Sequence, residues 1–158
     1  MEYEAIVLKM LETLSTESRA SQSEVPEFTR LPPARRTDPA LDAALVTPGG
    51  VVIGVEIKRS LRRLSALVLM EIIFRFNKAQ EAEPRTRKFL LICQDPPLSQ
   101  HIWLLTRDVK DANVAVVSGS DDYARLKSAV TKALVEAGAE ANRDSTLDPP
   151  SADMSNGA

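Results

Sequence analysis

The sequence predicts an α/β domain, a central mixed β-sheet with helices on both faces. Three observations predict it. Residues 41–58 hold two aliphatic runs split by Pro48-Gly49-Gly50, the pattern of a β-hairpin. Phe89-Leu90-Leu91-Ile92-Cys93 is a continuous apolar run of the kind that forms an interior strand. From the hairpin onward helix-like and strand-like stretches alternate, which calls for a sheet covered on both sides. The 158 residues suffice for one domain with its own core.

Taken in order, residues 2–14 form a helix, because Tyr3, Ile6, Val7, Met10, Leu11 and Leu14 recur at helical spacing. Glu4 lies beside Leu11 at the edge of that stripe, and Glu12 points away. Residues 15–37 are polar and loop-like. Within them Glu24–Leu31 can form a short strand, which Pro26 confines to a sheet edge. After the hairpin, residues 62–80 read as a helix that is apolar over most of its girth, with a narrow polar stripe of Glu71, Arg75 and Lys78. Pro96-Pro97 breaks the chain after the interior strand. Leu98–Arg107 is a short helix in which Trp103 is expected to be packed. Val114–Val117 is a second buried strand. Ser120-Asp121-Asp122 caps a last helix that turns Tyr123, Leu126, Val130, Leu134 and Ala137 inward and ends near Gly138. From about Glu140 the composition is that of a disordered tail. The domain therefore spans residues 1–139 and the tail 140–158.

The hairpin can be put in register. A three-residue loop joining Thr47 to Val51 makes paired positions sum to about 98 and sets Asp42 opposite Glu56. Side chains alternate between faces. Leu41, Ala43, Leu45, Val51, Ile53, Val55 and Ile57 share the apolar face. Asp42, Ala44, Val46, Val52, Gly54, Glu56 and Lys58 share the other, with their charges gathered at its open end. Two carboxylates on adjacent strands suit a hard cation such as Mg²⁺. A nearby lysine can orient an attacking water and offset charge on phosphorus. The same residues equally fit a solvated strand end.

At this point the stretch resembles the PD-(D/E)XK nuclease superfamily, the restriction-endonuclease-like fold. Its signature is an Asp at the start of one strand and Glu/Asp-x-Lys on the next, and Asp42 with Glu56-Ile57-Lys58 fits it. The Pro that usually precedes the Asp is absent: Leu41 stands there. In size and layout the chain looks most like Holliday-junction resolvases and the catalytic domains of Mrr-type restriction enzymes. The resemblance implies a Mg²⁺- or Mn²⁺-dependent endonuclease that hydrolyses DNA phosphodiesters. Asp42 and Glu56 would be the metal ligands, Lys58 a catalytic residue, and Glu4 an assisting carboxylate on the first helix. The bare Gly54 would leave room for metal or backbone. It also allows a non-catalytic nuclease-fold binding or assembly protein, a defence or regulatory subunit.

Charge distribution bears on the partner. The net charge is −2, but residues 56–88 carry nine basic against four acidic side chains. Arg59, Arg62, Arg63, Arg75 and Lys78, with Arg35 and Arg36 before Asp42, are candidates for contacts to the DNA backbone. Ordinary surface charge accounts for each of them singly. The one cysteine, Cys93, excludes an intrachain disulfide, and no Cys/His set has zinc spacing. His101, the only histidine, is expected to be structural. The sequence lacks an uncharged apolar span and a signal-peptide pattern, so a cytoplasmic protein off the membrane is expected. A homodimer is expected as well. The helix at 62–80 needs two burial partners, and the face near Leu69 and Phe76, extended by Leu98–Trp103, would meet its own copy.

Overall fold

The structure, a computed structural model, describes residues 2–31, 41–60 and 65–147, and side chains up to residue 142. Five strands form one mixed sheet, β1 (Thr29–Leu31), β2 (Ala43–Val46), β3 (Val52–Ser60), β4 (Thr86–Asp95) and β5 (Ala112–Val116), in spatial order β1-β2-β3-β4-β5. β1, β2 and β3 pair antiparallel, and β3, β4 and β5 pair parallel. Among the described residues four α-helices cover the sheet: α1 (Tyr3–Ser18), α2 (Ala66–Ala82), α3 (Ser99–Asp108) and α4 (Tyr123–Leu147). α2 and α3 are the crossovers of the two parallel connections, and both lie on one face. That layer buries Leu69, Ile72, Ile73, Phe76, Phe89, Leu91, Cys93 and Leu105. α1 and α4 lie on the other face over Ile53, Val55, Ile57, Leu90 and Ile92.

The hairpin closes as its sequence dictates. Pro48-Gly49-Gly50 is the loop, with Gly50 at φ +89, a left-handed value that glycine adopts without penalty. Thr47 N–H donates to the Val51 carbonyl at 3.0 Å, and the Thr47 hydroxyl accepts from Val51 N–H at 3.1 Å. The register Ala43↔Val55, Ala44↔Gly54, Leu45↔Ile53 follows, with the pair sum expected. One residue breaks the alternation. Leu41, expected on the α1/α4 face, packs into the opposite layer.

Several expected boundaries move. α1 continues through Ser15 to Ser18, because both hydroxyls are buried and grip the backbone of Phe28. Ser15 donates to the Phe28 carbonyl at 2.9 Å, and Ser18 accepts from Phe28 N–H at 3.1 Å. This ties the end of α1 to the approach to edge strand β1, where Phe28 is buried. α4 runs past Gly138, where the helix was expected to end, to Leu147. Ala139, Glu140 and Ala141 are strong helix formers, and one mid-helix glycine costs only about 1 kcal/mol. Residues 148–158 lie outside the described part.

α2 begins at Ala66 behind Ser65, whose side chain accepts from Val68 N–H. Its inward face is Leu69, Ile72, Ile73 and Phe76. Leu69 and Phe76, expected on an outer face for a second copy, are therefore core residues of one subunit. The outward apolar residues are Leu67, Met70 and Phe74. Trp103 on α3, expected to be packed, is 60% exposed, with the Arg107 guanidinium 5.0 Å from its ring. Cys93 is free and buried, and burial pushes its thiol up to about 11. His101 is buried on α3. Among the described residues no helix is long and apolar enough to cross a membrane.

Candidate active site

The paired strands β2 and β3 part just beyond Ala43, and there the charged residues meet. Asp42 has left the ladder, and its carboxylate takes over the next pairing position: Oδ2 accepts from the backbone N–H of Ile57 at 2.7 Å. That bond fastens Asp42 to β3 one residue beyond Glu56. Glu56 points to the α2 side and is completely buried. A buried carboxylate needs compensation. It has two cations at one oxygen: Arg75 Nη1 lies 2.7 Å from Glu56 Oε2, and Lys58 Nζ lies 3.7 Å from the same atom. The other oxygen, Oε1, is buried with no hydrogen-bond partner among the described residues.

The neighbouring carboxylate makes that orphan informative. Asp42 can satisfy Glu56 only when a proton sits between the two carboxyls. Burial first, then the charge of Asp42, drive Glu56 up to about 7, and Lys58 and Arg75 offset part of the rise. Glu4, on the first turn of α1, belongs to the same electrostatic neighbourhood. Partial burial and then Asp42 raise it, while Lys58 pulls it back. Asp42, Glu56 and Lys58 thus meet where β2 and β3 part, whereas Glu4 stands on α1, which packs on the other face of the sheet.

A divalent cation fits the donors present. Two adjacent carboxylates, one with a buried oxygen lacking any donor, match the one or two carboxylates by which Mg²⁺ is held, its remaining positions going to water and phosphate. Among the described residues no group of three or more His, Cys, Asp or Glu side chains forms a fuller metal cage. The space above Gly54 is not available to a metal. A Cβ there would stand 2.6 Å from Leu41 Cδ1 and 3.0 Å from Phe89 Cδ1, so displaced Leu41 and the Phe89 ring fill the cleft the missing side chain leaves.

The basic residues divide. Arg59, on the α1 side of β3, donates to Gln94 Oε1 at 3.4 Å and lines a cavity of about 170 Å³ with Glu2, Tyr3, Ile6, Gln94 and Ser118. Lys78 faces out on α2, 3.5 Å from Glu81 and 5.6 Å from the Phe74 ring centre. Arg75 reaches inward: besides Glu56, its Nη2 lies 2.8 Å from Glu71 Oε1. Arg35, Arg36, Arg62 and Arg63 lie outside the described residues. Arg75 is the member of this constellation whose place sequence reasoning missed. The i, i+4 spacing to Glu71 pointed only to the contact along α2.

No family model matches the sequence, and no curated protein matches it. Among solved structures the chain is similar to a repair endonuclease from Pyrococcus abyssi, at a TM-score of 0.49 and 15% sequence identity over 75% of this chain and 48% of that one. The chain spans about half the length of that protein. A likeness of this degree leaves the activity to be argued from the residues.

Proposed function

We propose that the protein is a metal-dependent endonuclease of the PD-(D/E)XK type that hydrolyses DNA phosphodiester bonds. One observation carries the reading. Asp42, just before β2, is a neighbouring carboxylate to Glu56 on β3, Lys58 Nζ lies 3.7 Å from Glu56, and a buried oxygen of Glu56 has no partner among the described residues. Asp42 and Glu56 would hold Mg²⁺ or Mn²⁺, which when bound supplies Lewis-acid polarisation of the phosphoryl oxygens and neutralises developing charge. Asp42 is held for that task by Ile57 N–H. Lys58, partly exposed, orients the attacking water and offsets negative charge as the water oxygen bonds to phosphorus and the leaving oxygen departs. Glu4, whose carboxyl Asp42 helps raise, is the assisting carboxylate in this reading. Arg59, and the basic residues flanking the hairpin, supply contacts to the DNA backbone.

The test is cleavage of a junction, a linear duplex and a single strand with Mg²⁺ or Mn²⁺. Asp42→Ala and Lys58→Ala should each lower the rate by orders of magnitude while circular dichroism reports an intact fold. Wild-type rates in both variants would remove these residues from the mechanism.

A second reading, a non-catalytic nuclease-fold binding or assembly subunit, is favoured by the Arg75–Glu56 contact, since a buried carboxylate already neutralised by arginine has less call for a metal. A homodimer also belongs to the proposal, reseated on the outer face of α2 and α3. Leu67, Met70, Phe74, Leu98, Ile102 and Trp103 are exposed there. Two sites related by a two-fold axis would cut both strands of a duplex.

A further inference from the structure

Arg75 sits where a DNA-binding arginine would not. Its guanidinium is held between two carboxylates, Nη1 at 2.7 Å from Glu56 Oε2 and Nη2 at 2.8 Å from Glu71 Oε1. Glu56 is completely buried, whereas the Glu71 side chain is 59% exposed. We infer that Arg75 is a positioning residue for the proposed metal site: with Lys58 it engages Glu56 Oε2 and so leaves Oε1, the oxygen without a hydrogen-bond partner among the described residues, as the one open to a metal. This inference rests on the functional reading above.

The terminal torsion of a glutamate is broad and two-fold, so nothing in the side chain itself distinguishes its two oxygens. Here the surroundings distinguish them. Oε2 has two cations within 4 Å, and Oε1 has no hydrogen-bond partner among the described residues. Arginine suits this task because its donors form a fixed planar fork that spans two acceptors. Glu71, one turn earlier on α2, holds the outer half of the fork and sets its plane. Lysine is a point charge and cannot span both partners. The inward arginine also gives the crossover helix a function beyond packing: the helix carries the group that orients a ligand on the strand beneath.

The test is calorimetric titration of the full chain with Mn²⁺, in wild type, Arg75→Met, Arg75→Lys and Glu71→Ala, with thermal melts taken without metal. Loss of a partner that orients a ligand should weaken Mn²⁺ binding about 10-fold or more in Arg75→Met. Arg75→Lys should recover part of that loss. Glu71→Ala, an exposed change that the fold tolerates, should weaken binding by roughly 3-fold. In cleavage at saturating Mn²⁺, Arg75→Met should lower kcat with little change in KM, whereas an arginine that contacts phosphate would raise KM and alter the salt dependence. Unchanged or tighter Mn²⁺ binding in Arg75→Met overturns the inference, as does full recovery by lysine. If Arg75→Met fails to fold, unchanged binding in Glu71→Ala overturns it alone. Absence of Mn²⁺ binding in wild type would instead defeat the functional reading, and this inference with it.

Discussion

Leu41 lies over Gly54: a Cβ added to the glycine would come within 2.6 Å of the Leu41 methyl. The residue just before Asp42 thus leaves the alternation of its strand and crosses to the α2 face. Gly54 is needed for packing, since it admits Leu41 and the Phe89 ring, which itself stacks on Phe76 at 4.5 Å. Leu41 can swing aside, but Phe89 is buried and cannot do so freely. Gly54→Ala should therefore destabilise the fold by about 1–3 kcal/mol, the usual cost of overpacking a core. Chemical denaturation measures it. A stability equal to wild type would mean that the cleft above Gly54 is open after all.

Glu56 gives the fold a pH dependence whose sign can be worked out. Burial and Asp42 raise its folded value to about 7 from an ordinary 4.5. Between those values the unfolded chain has released the proton that the folded chain keeps. Its contribution to stability therefore falls as pH rises through that window and is level above it. Glu56→Gln should remove this part of the slope when denaturation midpoints are compared at about pH 5 and about pH 8. An identical slope in the variant would show that Glu56 is ionised throughout. Because only the carboxylate ligates metal, cleavage should rise with pH through about 7 for the same reason.

The outer face of α2 and α3 makes the dimer testable. Phe74 is 53% exposed, and its replacement disturbs no core contact on the sheet side. Phe74→Glu should shift sedimentation from twice the chain mass toward the monomer. Phe76→Glu is not a fair test, because Phe76 is fully buried and its variant should unfold. A wild type that sediments as a monomer at micromolar concentration contradicts the dimer.

The hairpin was legible because two independent constraints agree on it: period-two alternation, and a loop whose Pro48-Gly49-Gly50 fixes the register. Asp42 and Glu56 could be brought together on that ground alone. Leu41 could not be placed, because its departure depends on a void at Gly54 and on Phe89, residues 13 and 48 positions away in the chain. The orientation of α2 was hidden for a different reason. A helix apolar on nearly every side does not say which side meets the sheet, and Leu69 and Phe76 were as eligible as Leu67 and Phe74. Arg75 was read with its surface neighbours because i, i+4 spacing reports the contact along the helix and not the one across to β3. The extension of α4 was missed by weighing hydrophobicity over helix propensity beyond Gly138.

The central claim is that Asp42 and Glu56 together hold a divalent cation, and Mn²⁺ titration of wild type against Asp42→Asn, slightly above neutral pH, tests it most directly. Asparagine keeps the size of Asp42 and an oxygen for Ile57 N–H, so the fold should persist. The account predicts one Mn²⁺ site per chain in wild type and its loss in Asp42→Asn. No binding in wild type, or equal binding in the variant, would contradict it.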